Sequence, residues 1–157
     1  MKRLLVTVIL LFATTASAQE GYLEMLRTDL RANKVAIITQ AMDFSDEQAD
    51  AFWPVYREYD VEVSKLGDQR IALLKDYAAN FGQMTDEKAG EIINKWLDLQ
   101  QKRLDLRKTY FKKFEKAIPT ALAAKFLQVD NQINLLIDLQ IAANLPLIQP
   151  IMSDDGQ

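Results

Sequence analysis

The sequence contains neither histidine nor cysteine, and it has only five glycines. Without histidine and cysteine, the chain cannot build a Ser-His-Asp or Cys-His catalytic arrangement, and it lacks the preferred ligands of zinc and copper sites. The glycines form no phosphate-binding loop, and no run has the D-x-[DN]-x-[DN]-G spacing of a calcium loop. We therefore expect a protein that is not an enzyme and that binds no cofactor and no metal ion.

Residues 1–18 have the three parts of a secretory signal peptide. Lys2 and Arg3 form the basic start, residues 4–13 form an apolar run, and residues 16–18 (ASA) form a small-x-small cleavage site. The apolar run is too short to span a bilayer, and no later segment offers 18 unbroken apolar residues. We therefore expect cleavage after residue 18 and export of a chain that is soluble once cleaved.

The charge balance argues against a nucleic-acid-binding protein. Removing Lys2 and Arg3 reduces the 19 basic residues to 17 against 22 acidic ones, so that the net charge changes from −3 to −5. Nucleic-acid-binding domains are usually basic, and we therefore expect no nucleic-acid partner. Because no cysteine is available for a disulfide, the stability of the exported chain has to come from core packing.

The rest of the sequence predicts an all-α fold. No stretch alternates apolar and polar residues as a strand does, and long segments are rich in Leu, Ala, Glu, Lys, Gln and Arg, which favour helix. Apolar residues at intervals of three and four predict four helices, at residues 22–41, 46–80, 86–117 and 119–144. We expect these helices to form a single domain over residues 19–145, followed by a flexible tail over residues 146–157.

The second and third helices are each longer than 30 residues and are separated by a short loop, which predicts a long antiparallel helical hairpin. Residues 46–62 carry a net charge of −5, and residues 102–116 carry a net charge of +5. An antiparallel arrangement places these two segments side by side. A single exposed ion pair contributes less than about 1 kcal/mol, but the pattern as a whole favours this orientation.

Pro54 lies inside the aromatic stretch FWPVYREY, near the start of the second helix. A proline within a helix removes one hydrogen bond and crowds the preceding turn. The helix can therefore bend at Pro54, or it can end there and be followed by a new helix. We favour the bend because the apolar spacing continues through the proline, and we expect the hairpin to be bent.

Two groups of side chains are candidate protein-binding surfaces. Phe52 and Trp53 point about 100° apart on a helix, so at least one of them is expected near an edge, although aromatic residues at helical spacing are more often core. The basic residues of the third helix either form a cationic surface for acidic clients or lipid head groups, or complement the acidic segment of the second helix. These basic candidates are Arg103, Arg107, Lys108, Lys112 and Lys113.

Phe44, Ser45 and Gln48 belong to the segment FSDEQ, in which Ser45 and Gln48 have the spacing of a helix capping box. This segment resembles the L-T-x-x-Q motif of the Spy/CpxP family of periplasmic stress proteins. A second copy of the motif is expected to begin at Ile118, which keeps the opening aliphatic residue. The likeness covers most of residues 22–143.

The resemblance implies a bent antiparallel hairpin that dimerises into a shallow cradle in the periplasm of a Gram-negative bacterium. Family members act as ATP-independent chaperones or as adaptors that damp an envelope-stress sensor. For this chain the resemblance implies a chaperone-like protein of the envelope stress response, which binds unfolded or partner proteins as a homodimer. The alternative is an adaptor that binds the periplasmic domain of a membrane sensor or an anti-sigma factor. A structural helical protein of the envelope, without a client, is a third hypothesis.

Overall fold

The computed structural model describes residues 33–148. The predicted signal peptide, the start of the first predicted helix and most of the predicted tail lie outside these residues. The described part of the chain is helical and contains no strand, which confirms the all-α prediction. Its α-helices are α1 at residues 33–42, α2 at Asp46–Asn80, α3 at Asp86–Ala117 and α4 at Thr120–Asn144. The described residues belong to two units, one that ends at Asp43 and one that begins at Phe44.

The first unit is described only over α1 and the residue that follows it. Ile38 and Met42 are buried and lie one helical turn apart, whereas Ile37 is 46% exposed. Asp43 has a φ of 49°, in the left-handed region that aspartate tolerates better than most residues. The helix therefore ends at a residue type that accepts the required backbone conformation.

The second unit begins with the predicted capping box. The Ser45 hydroxyl accepts a hydrogen bond from the Gln48 backbone N–H at 3.3 Å, and the Gln48 side chain accepts one from the Ser45 backbone N–H at 3.1 Å. Asp46 and Glu47 occupy the first turn, where negative charge is favourable. These local interactions explain why α2 begins at the predicted residue.

Pro54 does not end α2, which continues without interruption from Asp46 to Asn80. The interpretation that one helix passes through the proline is therefore confirmed over the alternative of two shorter helices. Pro54 lies on an exposed part of the helix, and Asp50, one turn earlier, is also exposed. Water can therefore reach the carbonyl that loses its helical hydrogen bond. The bend at Pro54 stays a prediction.

α2 and α3 form the predicted antiparallel hairpin. A 3₁₀ turn at Phe81–Gln83 follows α2, and the Thr85 side chain then caps α3 by accepting a hydrogen bond from the Lys88 backbone N–H at 3.2 Å. Near this connection Lys88 lies 2.9 Å from Asp76. At the opposite end of the hairpin Lys113 lies 2.9 Å from Glu58. Both ion pairs join residues that an antiparallel hairpin brings side by side.

α4 runs back along both helices of the hairpin. α3 ends at Ala117, and its C-cap residue Ile118 donates its N–H to the Phe114 carbonyl at 2.9 Å. Pro119 then occupies the N-cap position of α4. Near its start, α4 inserts Phe126 between α2 and α3. Further along, Asp138 reaches Arg70 on α2. The second unit is therefore a three-helix arrangement with its core between the hairpin and α4.

A smaller apolar cluster lies at the connection between α2 and α3. Its buried members are Leu73, Tyr77, Met84 and Ile92, and Ile148 packs against them from beyond the end of α4. The Tyr77 hydroxyl also donates a hydrogen bond to the Pro146 carbonyl at 2.5 Å. The start of the segment that the sequence assigned to a tail is thus in contact with the hairpin.

Candidate functional site

Aromatic rings from three helices form the core at the end of the bundle where α2 starts. The Phe126 ring centroid lies 5.0 Å from that of Phe52 and 4.6 Å from that of Phe114. Tyr59 and Tyr110 extend the cluster, with their centroids 5.2 Å apart. The three phenylalanines have no exposed surface. This packing gives the aromatic stretch of the sequence a structural role.

The prediction that Phe52 is part of a protein-binding surface is therefore wrong. It is fully buried because α3 and α4 both cover its face of α2. Trp53, the next residue, is half-buried and packs edge-on against Phe52 and Tyr56, at centroid distances of 5.2 and 5.3 Å. Trp53 lies at the rim of the aromatic core, so that one of the two adjacent rings lies near an edge. Its assignment to a protein-binding surface stays a prediction.

The motif-like residues lie at helix ends beside this core. Phe44 precedes the capping box and packs on Phe52, with ring centroids 4.7 Å apart. Ser45 and Gln48 form the capping box itself, and Ile118 is buried where α3 ends. In the described structure these residues start and stop helices, which accounts for their positions without a binding role.

Two of the predicted basic residues point towards α4. Arg107 donates hydrogen bonds to the Asn131 side chain and to the Leu127 carbonyl, each at 3.2 Å. Arg103 lies 3.6 Å from the Asp138 carboxylate. Both arginines are about three-quarters buried. They join α3 to α4, and their prediction as part of an open cationic surface is wrong because the sequence did not show on which side α4 would pack.

The three predicted lysines remain exposed. Lys113 lies 2.9 Å from Glu58 and 4.4 Å above the centre of the Tyr110 ring, and the hydrogen bond to Glu58 raises the pKa of Lys113 above its ordinary value. Lys108 makes a longer contact of 3.5 Å with Asp105, and Lys112 is exposed to solvent. The Lys113 contact agrees with the predicted pairing between the basic and acidic segments of the hairpin.

A buried polar contact ties α4 to the hairpin beside the aromatic core. Asp130 has no exposed surface and accepts a hydrogen bond from the Tyr59 hydroxyl at 3.0 Å. The Arg107 guanidinium lies 3.9 Å from the same carboxylate. Burial, reinforced by the negative charge of Asp130, raises the pKa of Tyr59 well above its ordinary value, so this phenol keeps its proton. The arrangement fixes the position of α4 on the hairpin.

The apolar surface that remains open lies on the second half of α4. Leu135, Leu136 and Leu139 are 58%, 65% and 66% exposed. They share one side of the helix because Leu139 follows Leu135 by four residues and Leu136 by three. We call these three residues the α4 leucine face. Residues 131–148 contain a single charged residue, Asp138, whose carboxylate turns towards the hairpin. The leucine face therefore carries no charge of its own.

A second exposed apolar surface runs along α3. Ile93, Leu97 and Leu104 are 45%, 52% and 47% exposed, and Gln100 continues the spacing of three and four residues between them. We call Ile93, Leu97 and Leu104 the α3 ridge. Unlike the leucine face, the ridge is flanked by charge, with exposed Asp86 at one end and exposed Lys108 at the other. Its chemistry is suited to a partner with the opposite order of charges.

The orientation of the leucines on α4 does not follow from the sequence. The stretch INLLIDLQIAANLPLI has apolar residues on every side of the helix, which is typical of a helix that is covered all round. Because such a helix has no polar side, its sequence does not show which leucines turn outward. The structure resolves this by placing Asp138 towards the hairpin, which leaves Leu136 and Leu139 on the open side.

Comparison of the chain with protein-family models, with curated proteins and with solved structures returned no match. None of the helices within residues 33–148 combines the length and the apolar character that crossing a membrane requires. Across the same residues, no three carboxylates are grouped so as to hold a metal ion.

Proposed function

We propose that this chain is a periplasmic, ATP-independent chaperone-like protein that binds unfolded or partner proteins through the α4 leucine face. The observation that carries the proposal is the exposure of three neighbouring leucines on a helix segment with a single charged residue. Contiguous exposed apolar surface on a folded domain usually marks a protein-interaction site. The signal-peptide pattern of residues 1–18 supports export to the periplasm.

The chemistry of the leucine face favours non-native polypeptide as its ligand. Unfolded chains expose apolar side chains in many sequence contexts, and a surface without charge discriminates little among them. Burial of apolar area is non-directional and needs no cofactor or nucleotide. The face therefore suits transient binding to many clients better than recognition of a single charged epitope.

We expect the double variant Leu136→Gln/Leu139→Gln to lose most of the ability to suppress client aggregation. Burying a leucine stabilises a complex by about 1.5 kcal/mol or more, so losing two weakens client binding by about a hundredfold or more. The measurement is light scattering of an unfolding client protein, without ATP, over a range of chaperone concentrations. Both leucines are exposed, so the fold itself is expected to change little in stability.

The matched control is Val61→Gln, which removes an apolar side chain that is 54% exposed on α2. This control is expected to suppress aggregation as the wild-type chain does. Equal suppression by the double variant and the control would contradict the assignment of the site. If the wild-type chain suppresses no aggregation and instead binds one membrane protein through the same leucines, the adaptor alternative replaces the chaperone.

The α3 ridge is a candidate interface for the expected dimer. In an antiparallel pair of α3 ridges with its two-fold axis between Leu97 and Gln100, Ile93 of one copy faces Leu104 of the other. The same arrangement brings Asp86 of one copy near the basic end of the other, at Lys108. A two-fold interface must be self-complementary in shape and charge, and the order acidic, apolar, basic along the ridge meets that condition.

We expect Leu97→Lys to convert the dimer into a monomer, because the substitution places two ammonium groups close to the two-fold axis. Multi-angle light scattering coupled to size-exclusion chromatography measures the mass directly. Val61→Lys adds the same charge elsewhere and is expected to leave the dimer intact. A Leu97→Lys protein that elutes as a dimer would place the interface on another surface.

A further inference from the structure

The side chains in the second half of α4 are less deeply buried against the hairpin than those in the first half. In the first half, Ala123, Phe126 and Asp130 have no exposed surface. Among the side chains described for residues 134–148, none is buried, and the residues on the inner side, such as Ile137 and Ile141, are half-buried. We call residues 134–148 the strap. Individual contacts therefore matter more for its attachment than for that of the first half.

The most direct of these contacts is made by Asp138. One of its carboxylate oxygens lies 2.6 Å from Arg70 on α2, and the other lies 3.6 Å from Arg103 on α3. A single side chain of the strap thus connects to both helices of the hairpin. All three side chains are between one-quarter and two-fifths exposed, so salt in solution can weaken these pairs.

Two further contacts lie at the far end of the strap. The Tyr77 hydroxyl donates to the Pro146 carbonyl at 2.5 Å, and Ile148 packs against the apolar cluster that contains Tyr77 and Leu73. These contacts depend on the strap following the hairpin as far as residue 148. Releasing Asp138 removes an anchor near the start of the strap, and the end contacts then have to hold a longer free segment.

We propose that Asp138 is a latch that holds the strap closed, and that releasing the latch enlarges the surface offered to client proteins. The α4 leucine face lies on the strap, so an open strap presents Leu136 and Leu139 together with the inner residues Ile137 and Ile141. The ionic strength of the surroundings sets the balance between the closed and open strap. The effect of the latch on client binding rests on the proposed function. The opening of the strap on release of Asp138 does not depend on that function.

The absence of cysteine makes the position of the strap directly measurable. In an Ile148→Cys protein the new cysteine is the only thiol of the chain, and its side chain lies where Ile148 packs against the hairpin. Its reaction rate with a thiol reagent then reports how often the strap opens. Adding Asp138→Asn is expected to increase this rate about fivefold, the upper end of what an exposed ion pair contributes.

Three comparisons distinguish the loss of the Asp138 ion pairs from a general effect of removing one charge on the labelling rate. Asp98→Asn removes the same charge from an exposed pair within α3, in which Asp98 and Lys102 are 2.7 Å apart, and it is expected to leave the rate unchanged. Arg70→Gln is expected to accelerate labelling, and the Arg70→Gln/Asp138→Asn double variant is expected to react no faster than Asp138→Asn alone. Sodium chloride is expected to accelerate labelling of the Ile148→Cys protein but not of its Asp138→Asn version.

An unchanged labelling rate in the Asp138→Asn protein would overturn the latch, and so would equal acceleration by Asp98→Asn. Client binding is measured separately, as aggregation suppression by Asp138→Asn in the cysteine-free chain, where increased suppression is expected. Faster labelling without increased suppression would overturn the link between the strap and client binding while the latch stands. The two readouts therefore distinguish failure of the latch from failure of the proposed function.

Discussion

Replacing Phe126 with alanine is expected to lower the free energy of unfolding by about 3–5 kcal/mol. The Phe126 ring is fully buried and makes the contact that joins all three long helices. It packs against Phe52 from α2 and against Phe114 from α3, at centroid distances of 5.0 and 4.6 Å. Because single domains are stable by only about 5–15 kcal/mol, this one substitution removes a large part of the total.

Urea unfolding followed by circular dichroism at 222 nm measures the change. The matched control is Leu139→Ala, also on α4, whose side chain is 66% exposed and whose truncation is expected to change stability by less than about 0.5 kcal/mol. A Phe126→Ala protein with the stability of the control would mean that α4 does not close the aromatic core. The description of the fold as three helices around that core would then be incorrect.

Replacing Asp130 with leucine is expected to cost about 3 kcal/mol, although the new side chain is apolar and similar in size. The substitution leaves the Tyr59 hydroxyl without the carboxylate that accepts its hydrogen bond. Burial raises the pKa of Tyr59, so the hydroxyl cannot compensate by changing its protonation state. Arg107 also loses a negative neighbour at 3.9 Å, but it is one-quarter exposed and retains contact with water.

The Tyr59→Phe/Asp130→Leu double variant is expected to be more stable than the Asp130→Leu single variant. Removing both partners eliminates the buried donor together with its acceptor, which is often close to neutral. The coupling between the two positions is obtained from the four unfolding free energies of a double-mutant cycle. Strictly additive effects would show that the hydrogen bond between Tyr59 and Asp130 does not contribute to holding α4 in place.

The helices and their order could be predicted from the sequence because the signals that set them are local. The Ser45–Gln48 capping box determines where α2 starts, and Thr85 does the same for α3. The antiparallel direction of the hairpin follows from the short connection and from complementary charge, of which the Lys113–Glu58 pair is a direct example. Each of these signals involves residues of a single helix or of two consecutive helices.

The candidate site could not be predicted in the same way because it depends on where α4 packs. Arg103 and Arg107 are spaced like residues of a solvated basic helix, and only the position of α4 shows that they bind Asp138 and Asn131. Phe52 is buried for the same reason, since α4 supplies the ring that covers it. The spacing of residues in the strap does not show which side faces the hairpin, because apolar residues occur on every side of the helix.

Site-specific photocrosslinking tests the central claim, that the α4 leucine face contacts non-native polypeptide, most directly. A photoreactive phenylalanine analogue is placed at position 139 on the face or at position 61 on α2, where the native residues are both more than half exposed. The protein is then irradiated with a client during unfolding of that client. We predict strong crosslinks from position 139 and weak ones from position 61. Equal crosslinking from both positions, or none from position 139, would contradict the assignment of the α4 leucine face as the client-binding surface.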